Sequence, residues 1–160
     1  MLAVMSLLIK KPEDNMNDPF VMAFDYVKYR LGEDKIVWYG CPDLPDTTEE
    51  QHAMRQLAMS FEQQNMTTLT NMALALCMNN NTLYNDYQEI VKQLFPNDSI
   101  IWGRSVALYS FTGLMAVNCM NEDKSDLVKE LTIFLGIYTR ERIDPWIRQQ
   151  KDGWREILLH

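Results

Sequence analysis

The chain has 160 residues, of which 47% are apolar and 23% are charged, and its formal net charge at pH 7 is −7. This length and composition favour a single soluble globular domain over residues 1–160. The acidic balance argues against a protein that binds a nucleic-acid backbone, because such proteins need a basic surface. Six glycines and six prolines are too few for an all-β fold with many tight turns.

The N-terminal residues MLAVMSLLIKK have some features of a signal peptide. Their charges follow the apolar stretch, however, and no small-residue cleavage site is present. We therefore interpret residues 1–17 as a first strip of packing or a flexible N-terminus.

Three cysteines, Cys41, Cys77 and Cys119, contain no CxxC pair. This spacing predicts neither a zinc site nor a thioredoxin-type redox pair. Reduced thiols in a cytosolic compartment are the interpretation that we favour.

The first predicted helix starts at Asp18-Pro19, an N-cap followed by proline at the first helical position. Its apolar residues recur on one face, and Gly32 is predicted to end it. These residues are Phe20, Phe24, Val27 and Leu31. A loop with two prolines follows over residues 39–48, and Thr48 with Gln51 predicts a capping box for the next helix.

The remaining helices are predicted from weaker signals. Residues 69–77 suggest a short, loose helix, and residues 83–94 an amphipathic helix that Pro96 closes. A further apolar stripe covers residues 127–138. Asp144-Pro145 again has the pattern of an N-cap followed by proline, and Gly153 separates two short terminal helices.

Residues 100–120 form an apolar run with a single charge, Arg104. Twenty-one residues could cross a membrane, so an integral membrane protein is one alternative. Polar residues within the run, and the absence of flanking lysine or arginine clusters, favour a helix buried inside a globular protein. Asn97-Asp98-Ser99 is predicted to cap this helix. The chain is therefore predicted to be all-α, with amphipathic helices around one central hydrophobic helix.

Signatures of catalysis are absent from the sequence. The two histidines, His52 and His160, belong to no HExxH pattern, and neither a GxSxG motif nor a glycine-rich phosphate loop occurs. The acidic pairs Glu49-Glu50 and Glu122-Asp123 stand at predicted helix starts, where the helix dipole favours negative charge. We predict no enzyme, no cofactor and no metal site.

Two stretches in combination resemble a known family. LFPNDSIIWGRSVALYSFTG is similar to the first homology motif of the Bcl-2 apoptosis-regulator family, and DPWIRQQKDGW is similar to the second. FDYVKYRL and AMRQLAMSFE resemble, more weakly, the fourth and third motifs, and LYNDYQEIVKQLF resembles the helix that precedes the first. The resemblance spans residues 20–159. It implies a Bcl-2-like helical bundle with a surface groove that receives an amphipathic ligand helix, the BH-3 helix.

The resemblance also implies roles for individual residues. Arg104 is expected to pair with the aspartate of the ligand helix, because its planar fork of donors matches a carboxylate. Gly103 is expected to let the ligand backbone approach closely. The walls and floor of the groove are expected to be formed by Phe61 and Leu69, by Ile90 and Leu94, and by Ala107 and Phe111, respectively. From the residues alone, an ion pair of Arg104 within its own chain is an equal alternative.

Four departures from the family pattern affect the expected function. Ile101 stands where the family commonly has an asparagine that donates to the ligand, and the segment 94–102 is one residue longer than usual. Met59 stands where the acid of the third motif would be, which favours the survival-promoting over the pore-forming side of the family. The chain carries no apolar tail after His160, so we expect no membrane anchor in it. The compact length and the short loop at residues 39–48 resemble viral Bcl-2 homologues.

The resemblance makes an inhibitor of apoptosis the leading hypothesis. The expected partners are pro-apoptotic family members, namely BH-3-only ligands such as Bim and, as further candidates, Bak or Bax. The alternative is a membrane-permeabilising pro-apoptotic effector of the same fold. An empty groove rich in methionine also makes a homodimer plausible. We expect a cytoplasmic protein, with association with mitochondria as a further option.

Overall fold

The computed structural model describes residues 17–76 and 81–160, and the regular structure in these ranges is helical. The helices are α1 Pro19–Glu33, α2 Glu49–Gln64, α3 Met66–Leu74, α4 Leu83–Leu94, α5 Trp102–Asn121, α6 Ser125–Tyr138 and α7 Asp144–Arg148. Three further turns of helix are a 3-10 turn Pro96–Asp98, a π-helical turn Thr139–Ile143 and a C-terminal 3-10 helix Gly153–Leu159. The predicted all-α fold is confirmed.

Helix α5 is the centre of the bundle, with 15 of its 20 residues buried. Helices α1, α2 and α6 pack around it. One of its buried hydroxyl groups has two partners: the Thr112 hydroxyl lies 2.8 Å from that of Tyr87 and donates to the Leu108 carbonyl. The predicted buried central helix is confirmed, and within the described ranges no helix has the length and apolarity to cross a membrane.

Glycine allows α1 to approach its neighbours closely at two points. A Cβ at Gly113 of α5 would lie 2.8 Å from the Tyr26 ring and 2.9 Å from the Arg30 side chain. A Cβ at Gly136 of α6 would lie 2.5 Å from the Phe20 ring. These distances are below van der Waals contact, so a larger residue at either position would push α1 away from the core.

Two of the predicted helix starts are confirmed by their hydrogen bonds. The Asp18 carboxylate accepts from the backbone N–H groups of Phe20 and Val21, at 2.9 and 3.2 Å. Thr48 and Gln51 form the predicted capping box. Helix α1 continues one residue beyond Gly32, however, because its C-terminal hydrogen bonds are closed by Asp34 and not by the glycine.

Two other predicted caps are wrong. Asn97, Asp98 and Ser99 do not cap α5, because the 3-10 turn places them before Ile101, which occupies the N-cap position without a side-chain cap. Asp144 is the first residue of α7 and not its N-cap, because the π-helical turn continues α6 directly into α7 and Ile143 occupies the N-cap position.

Helix α3 differs from its prediction in its limits. It starts at Met66, immediately after α2, and not at Leu69. The predicted end at Cys77 lies outside the described residues, as does the predicted N-terminal segment before Asn17. The predicted helices over residues 83–94 and 127–138 correspond to α4 and α6, and a short 3-10 helix begins at Gly153 as expected.

Candidate functional site

Three tryptophans join the two strongest motifs in space. The ring of Trp102, at the start of α5, lies 5.8 Å from that of Trp146 and 6.0 Å from that of Trp154, with both pairs edge-on. The Trp154 indole N–H donates to the Asp144 carboxylate at 2.7 Å. The prediction that these tryptophans are packing residues is confirmed, and their cluster fixes the end of α5 from which Gly103 and Arg104 project.

Arg104 is held on one side only. Its Nη1 donates to the Ser99 carbonyl at 3.0 Å. Among the described residues no carboxylate forms an ion pair with it. The Nε and Nη2 donors lie on the other edge of the guanidinium, which is the edge that can take a carboxylate in a two-point contact.

The residues beside Arg104 face solvent. Ile101 is 46% exposed, and Gly103 is exposed with open space where a Cβ would stand. The surface at the start of α5 therefore presents an apolar side chain, a bare stretch of backbone and a cation within four residues. A helix that lay across this surface could approach the backbone at Gly103 without a steric clash.

The six predicted wall and floor residues are less accessible. Phe61 and Leu94 are half-buried, and the other four are buried. The buried residues are Leu69, Ile90, Ala107 and Phe111. Five of the surface cavities that the described residues form, with volumes of about 310 to 540 Å³, are lined by other side chains. A ligand would reach the floor residues only if α3 or α4 moved away from α5.

Both helices that would have to move carry exposed apolar side chains. Leu74 at the end of α3 is 76% exposed and Tyr84 near the start of α4 is 56% exposed. Met66 at the start of α3 is also exposed. Apolar side chains exposed along the same two helices are typical of a surface that a partner covers.

Sequence reasoning missed the turn that precedes α5. Asn97 and Asp98 both adopt left-handed backbone conformations, with φ of 59° and 56°. Asn and Asp are the residue types that tolerate this region best, so their adjacency was the signal that could have predicted the turn. The Ser99 carbonyl, which holds Arg104, is a backbone group and leaves no trace in the sequence.

The described residues offer neither an activated thiol nor a cluster of metal ligands. Burial raises the pKa of the Cys41 thiol to about 11 and that of Cys119 to about 12. Neither therefore supplies a thiolate nucleophile near neutral pH. Within residues 17–76 and 81–160, no group of three His, Cys, Asp or Glu side chains could hold a metal ion.

The described part of the chain is a helical bundle around a buried central helix, with a partly exposed arginine at the start of that helix. The sequence profile described as "Apoptosis regulator proteins, Bcl-2 family" matches residues 54–154. The chain belongs to the Bcl-2 family, whose members are regulators and not enzymes.

Individual relatives agree with this assignment. Apoptosis regulator ced-9 of Caenorhabditis briggsae is 26% identical over 140 residues, which cover 84% of this chain and 53% of that protein. Human Bcl-2-like protein 1 is 28% identical over 104 residues, which cover 65% of this chain and 44% of that protein. Chicken apoptosis regulator Bcl-2 is 29% identical over 102 residues, which cover 64% of this chain and 43% of that protein. The chain spans about half the length of the curated relatives that it matches.

Proposed function

We propose that this protein inhibits apoptosis by binding the BH-3 helix of pro-apoptotic Bcl-2 proteins and sequestering them. The observation that carries the proposal is the Arg104 guanidinium, which is held at Nη1 and has its Nε/Nη2 edge available beside the exposed Gly103. An aspartate on an incoming helix would complete a two-point ion pair there. The relatives named apoptosis regulators are consistent with this role.

The packing of α3 and α4 gives the proposed binding mode a further feature. Because Leu69 and Ile90 are buried, the ligand's apolar residues would have to displace α3 or α4 from α5. The exposed Leu74 and Tyr84 would then be covered by the ligand. Binding would accordingly be coupled to a movement of these helices, which costs part of the interaction energy.

The survival-promoting role is favoured over the membrane-permeabilising one by helix α2. Met59 of α2 is half-buried and stands where the family's third motif would carry an acid. A ligand helix made from this segment could not offer a carboxylate at that position to another member's arginine. The protein would act in the cytoplasm or at the mitochondrial surface, where its proposed partners are met.

Fluorescence polarisation with a labelled Bim BH-3 peptide tests the proposal. We expect a Kd below about 10 μM, which corresponds to a binding free energy stronger than roughly −7 kcal/mol. The same peptide with its aspartate changed to asparagine should bind at least tenfold more weakly. Absence of binding by peptides from Bim, Bak and Bax up to 10 μM would refute the proposal. Leakage of liposomes at modest protein concentration would instead favour the membrane-permeabilising alternative.

A further inference from the structure

The segment between α4 and α5 has an unusual and well-defined backbone. Asn97 and Asp98 are consecutive left-handed residues, and neither is glycine. The turn is closed by two hydrogen bonds, from the Asp98 N–H to the Phe95 carbonyl at 3.0 Å and from the Ser99 N–H to the Pro96 carbonyl at 3.2 Å. Left-handed residues other than glycine carry an energetic cost, so they persist where the surrounding structure determines them.

This turn directs one carbonyl group at Arg104. The Ser99 carbonyl accepts the Nη1 proton at 3.0 Å from a position five residues before the arginine. A partly exposed arginine in the first turn of a helix otherwise samples several rotamers. Fixing Nη1 restricts both the position and the plane of the guanidinium, and it leaves the opposite edge for a ligand.

A second contact connects the turn to a different element. The Asp98 carboxylate lies 3.5 Å from Nη2 of Arg142 in the π-helical turn. Both side chains are largely exposed, so the pair adds little stability by itself. The contact does link the turn to the π-helical turn that follows α6. The Ser99 carbonyl therefore lies next to a residue that contacts a second element of the bundle.

We propose that the turn formed by Pro96, Asn97, Asp98 and Ser99 positions Arg104 for a two-point contact with a ligand carboxylate. This inference rests on the proposed function and adds to it the element that orients the arginine. The turn lies within residues 94–102, the segment that the resemblance predicts to be one residue longer than the family pattern. Its removal lowers the preference for a ligand with aspartate and leaves apolar binding intact.

The test is a comparison of two peptides on three proteins. The peptides are the Bim BH-3 peptide and its Asp-to-Asn form, and the proteins are wild type, Asn97→Val and Asn97→Gly. Valine is β-branched and strongly disfavours φ of 59°, whereas glycine accepts it without strain. The quantity measured is the ratio of the two dissociation constants for each protein.

We expect the ratio to be at least tenfold for wild type and to fall to about threefold or less for Asn97→Val, because the arginine loses its orientation. Asn97→Gly should keep the ratio within about twofold of wild type, since the turn retains its shape. General damage to the bundle would weaken both peptides equally and leave the ratio unchanged. Asn97→Ala, with a milder left-handed penalty, is measured in parallel and should give an intermediate ratio even where Asn97→Val fails to fold.

Two negative outcomes are distinguishable. If wild type binds neither peptide, the proposed function itself is wrong. If wild type discriminates between the peptides and folded Asn97→Val or Asn97→Ala discriminates equally well, the turn does not position Arg104 and only this inference is lost.

Discussion

Arg30 and Arg104 lie in two regions of the molecule and differ in how many of their guanidinium donors have partners within the protein. Arg30 of α1 donates through Nε and Nη2 to both oxygens of Glu62 on α2, each at 2.8 Å, and through Nη1 to Asp34 at 3.0 Å. Arg104 has the Nη1 contact alone. Arg30 therefore joins two helices of the protein, whereas Arg104, in our proposal, binds a helix of the ligand.

The comparison teaches how burial separates a structural role from a binding role. Arg30 is 6% exposed and Glu62 2% exposed, so both charges depend on each other inside the protein. A second pair repeats the arrangement in reverse, with Arg55 of α2 bound at Nε and Nη2 to Asp25 of α1. These two crossed pairs fasten α2 to α1. Arg104 is partly exposed and does not depend on an internal carboxylate in this way, because water can solvate its charge.

The largest expected effect is on the buried pair. Glu62→Ala leaves the Arg30 charge buried without its main partner, and should lower the free energy of unfolding by about 3–5 kcal/mol. Urea denaturation followed by circular dichroism measures this change. Asp34→Ala is the matched control, because its carboxylate is 46% exposed and its removal should cost less than about 1 kcal/mol. Equal losses of unfolding free energy for the two variants would contradict the claim that the buried Arg30–Glu62 pair contributes more than the exposed Asp34 contact.

The next effect concerns ligand binding and leaves stability unchanged. Arg104→Ala should weaken Bim peptide binding at least tenfold, within the roughly 2–5 kcal/mol expected for loss of one partner of a desolvated pair. Its free energy of unfolding should stay within about 0.5 kcal/mol of wild type, because no internal carboxylate loses a partner. Lys28→Ala removes one exposed positive charge from α1 and controls for net charge. A loss of binding accompanied by unfolding would assign Arg104 a structural role.

The pH dependence of stability tests the buried region around Arg30 and Glu62, where Tyr26 lies. Burial and, next, the Glu62 carboxylate raise the pKa of Tyr26 well above its ordinary value of 10.0. Above pH 10 the unfolded chain therefore loses a phenolic proton that the folded chain keeps, and stability falls by up to about 1.4 kcal/mol per pH unit for this group. Below pH 10 the contribution is fully present. Burial likewise raises the pKa values of Tyr87 and Tyr109.

Stability measured between pH 8 and pH 11 tests this expectation. Tyr26→Phe should decline less steeply above pH 10 than wild type, whereas Tyr39→Phe should follow wild type because Tyr39 is 92% exposed. Identical slopes for wild type and Tyr26→Phe would show that the Tyr26 phenol does not contribute.

The smallest expected effect is that of salt. Raising ionic strength from 0.05 to 0.5 M shortens the screening length severalfold. It should weaken Bim peptide binding by about two- to threefold through the partly exposed Arg104 pair, and should leave the Arg30–Glu62 contribution to stability nearly unchanged. Peptide titrations and urea denaturation at both salt concentrations provide the two readouts. A stronger salt effect on stability than on binding would reverse the assignment of the two arginines.

Local signals predicted much of this fold from the sequence. The Asp18 cap and the Thr48–Gln51 capping box are each contained within a few residues, the apolar run of α5 is one continuous segment, and all three are found in the structure. The family resemblance supplied the bundle and brought Arg104 forward as a candidate. Each of these features depends either on residues that are close in the sequence or on a strong pattern, and sequence reasoning is most reliable for such features.

Long-range partners escaped prediction. Asp144 looked like a helix cap, but its carboxylate instead accepts from the Trp154 indole and from Arg148. Arg30 and Glu62 stand 32 residues apart, and no local pattern links them. For Arg104 the sequence left an internal ion pair and a ligand pair equally open, because acidic residues are plentiful. The partner of a charged group depends on the packed tertiary structure, and this information is not local.

The tryptophan cluster has a consequence for biosynthesis. Trp102 contacts Trp146, Trp154 and, at a ring distance of 5.7 Å, His160, so the start of α5 packs against residues that follow it in the sequence by more than 40 positions. A nascent chain that has passed Arg104 but not yet reached Trp154 has the complete Trp-Gly-Arg sequence without the indole stack that anchors it. Such contacts between distant segments form late in folding. The placement of the start of α5, and with it of Gly103 and Arg104, therefore depends on contacts that become possible only after Trp154 has been synthesised.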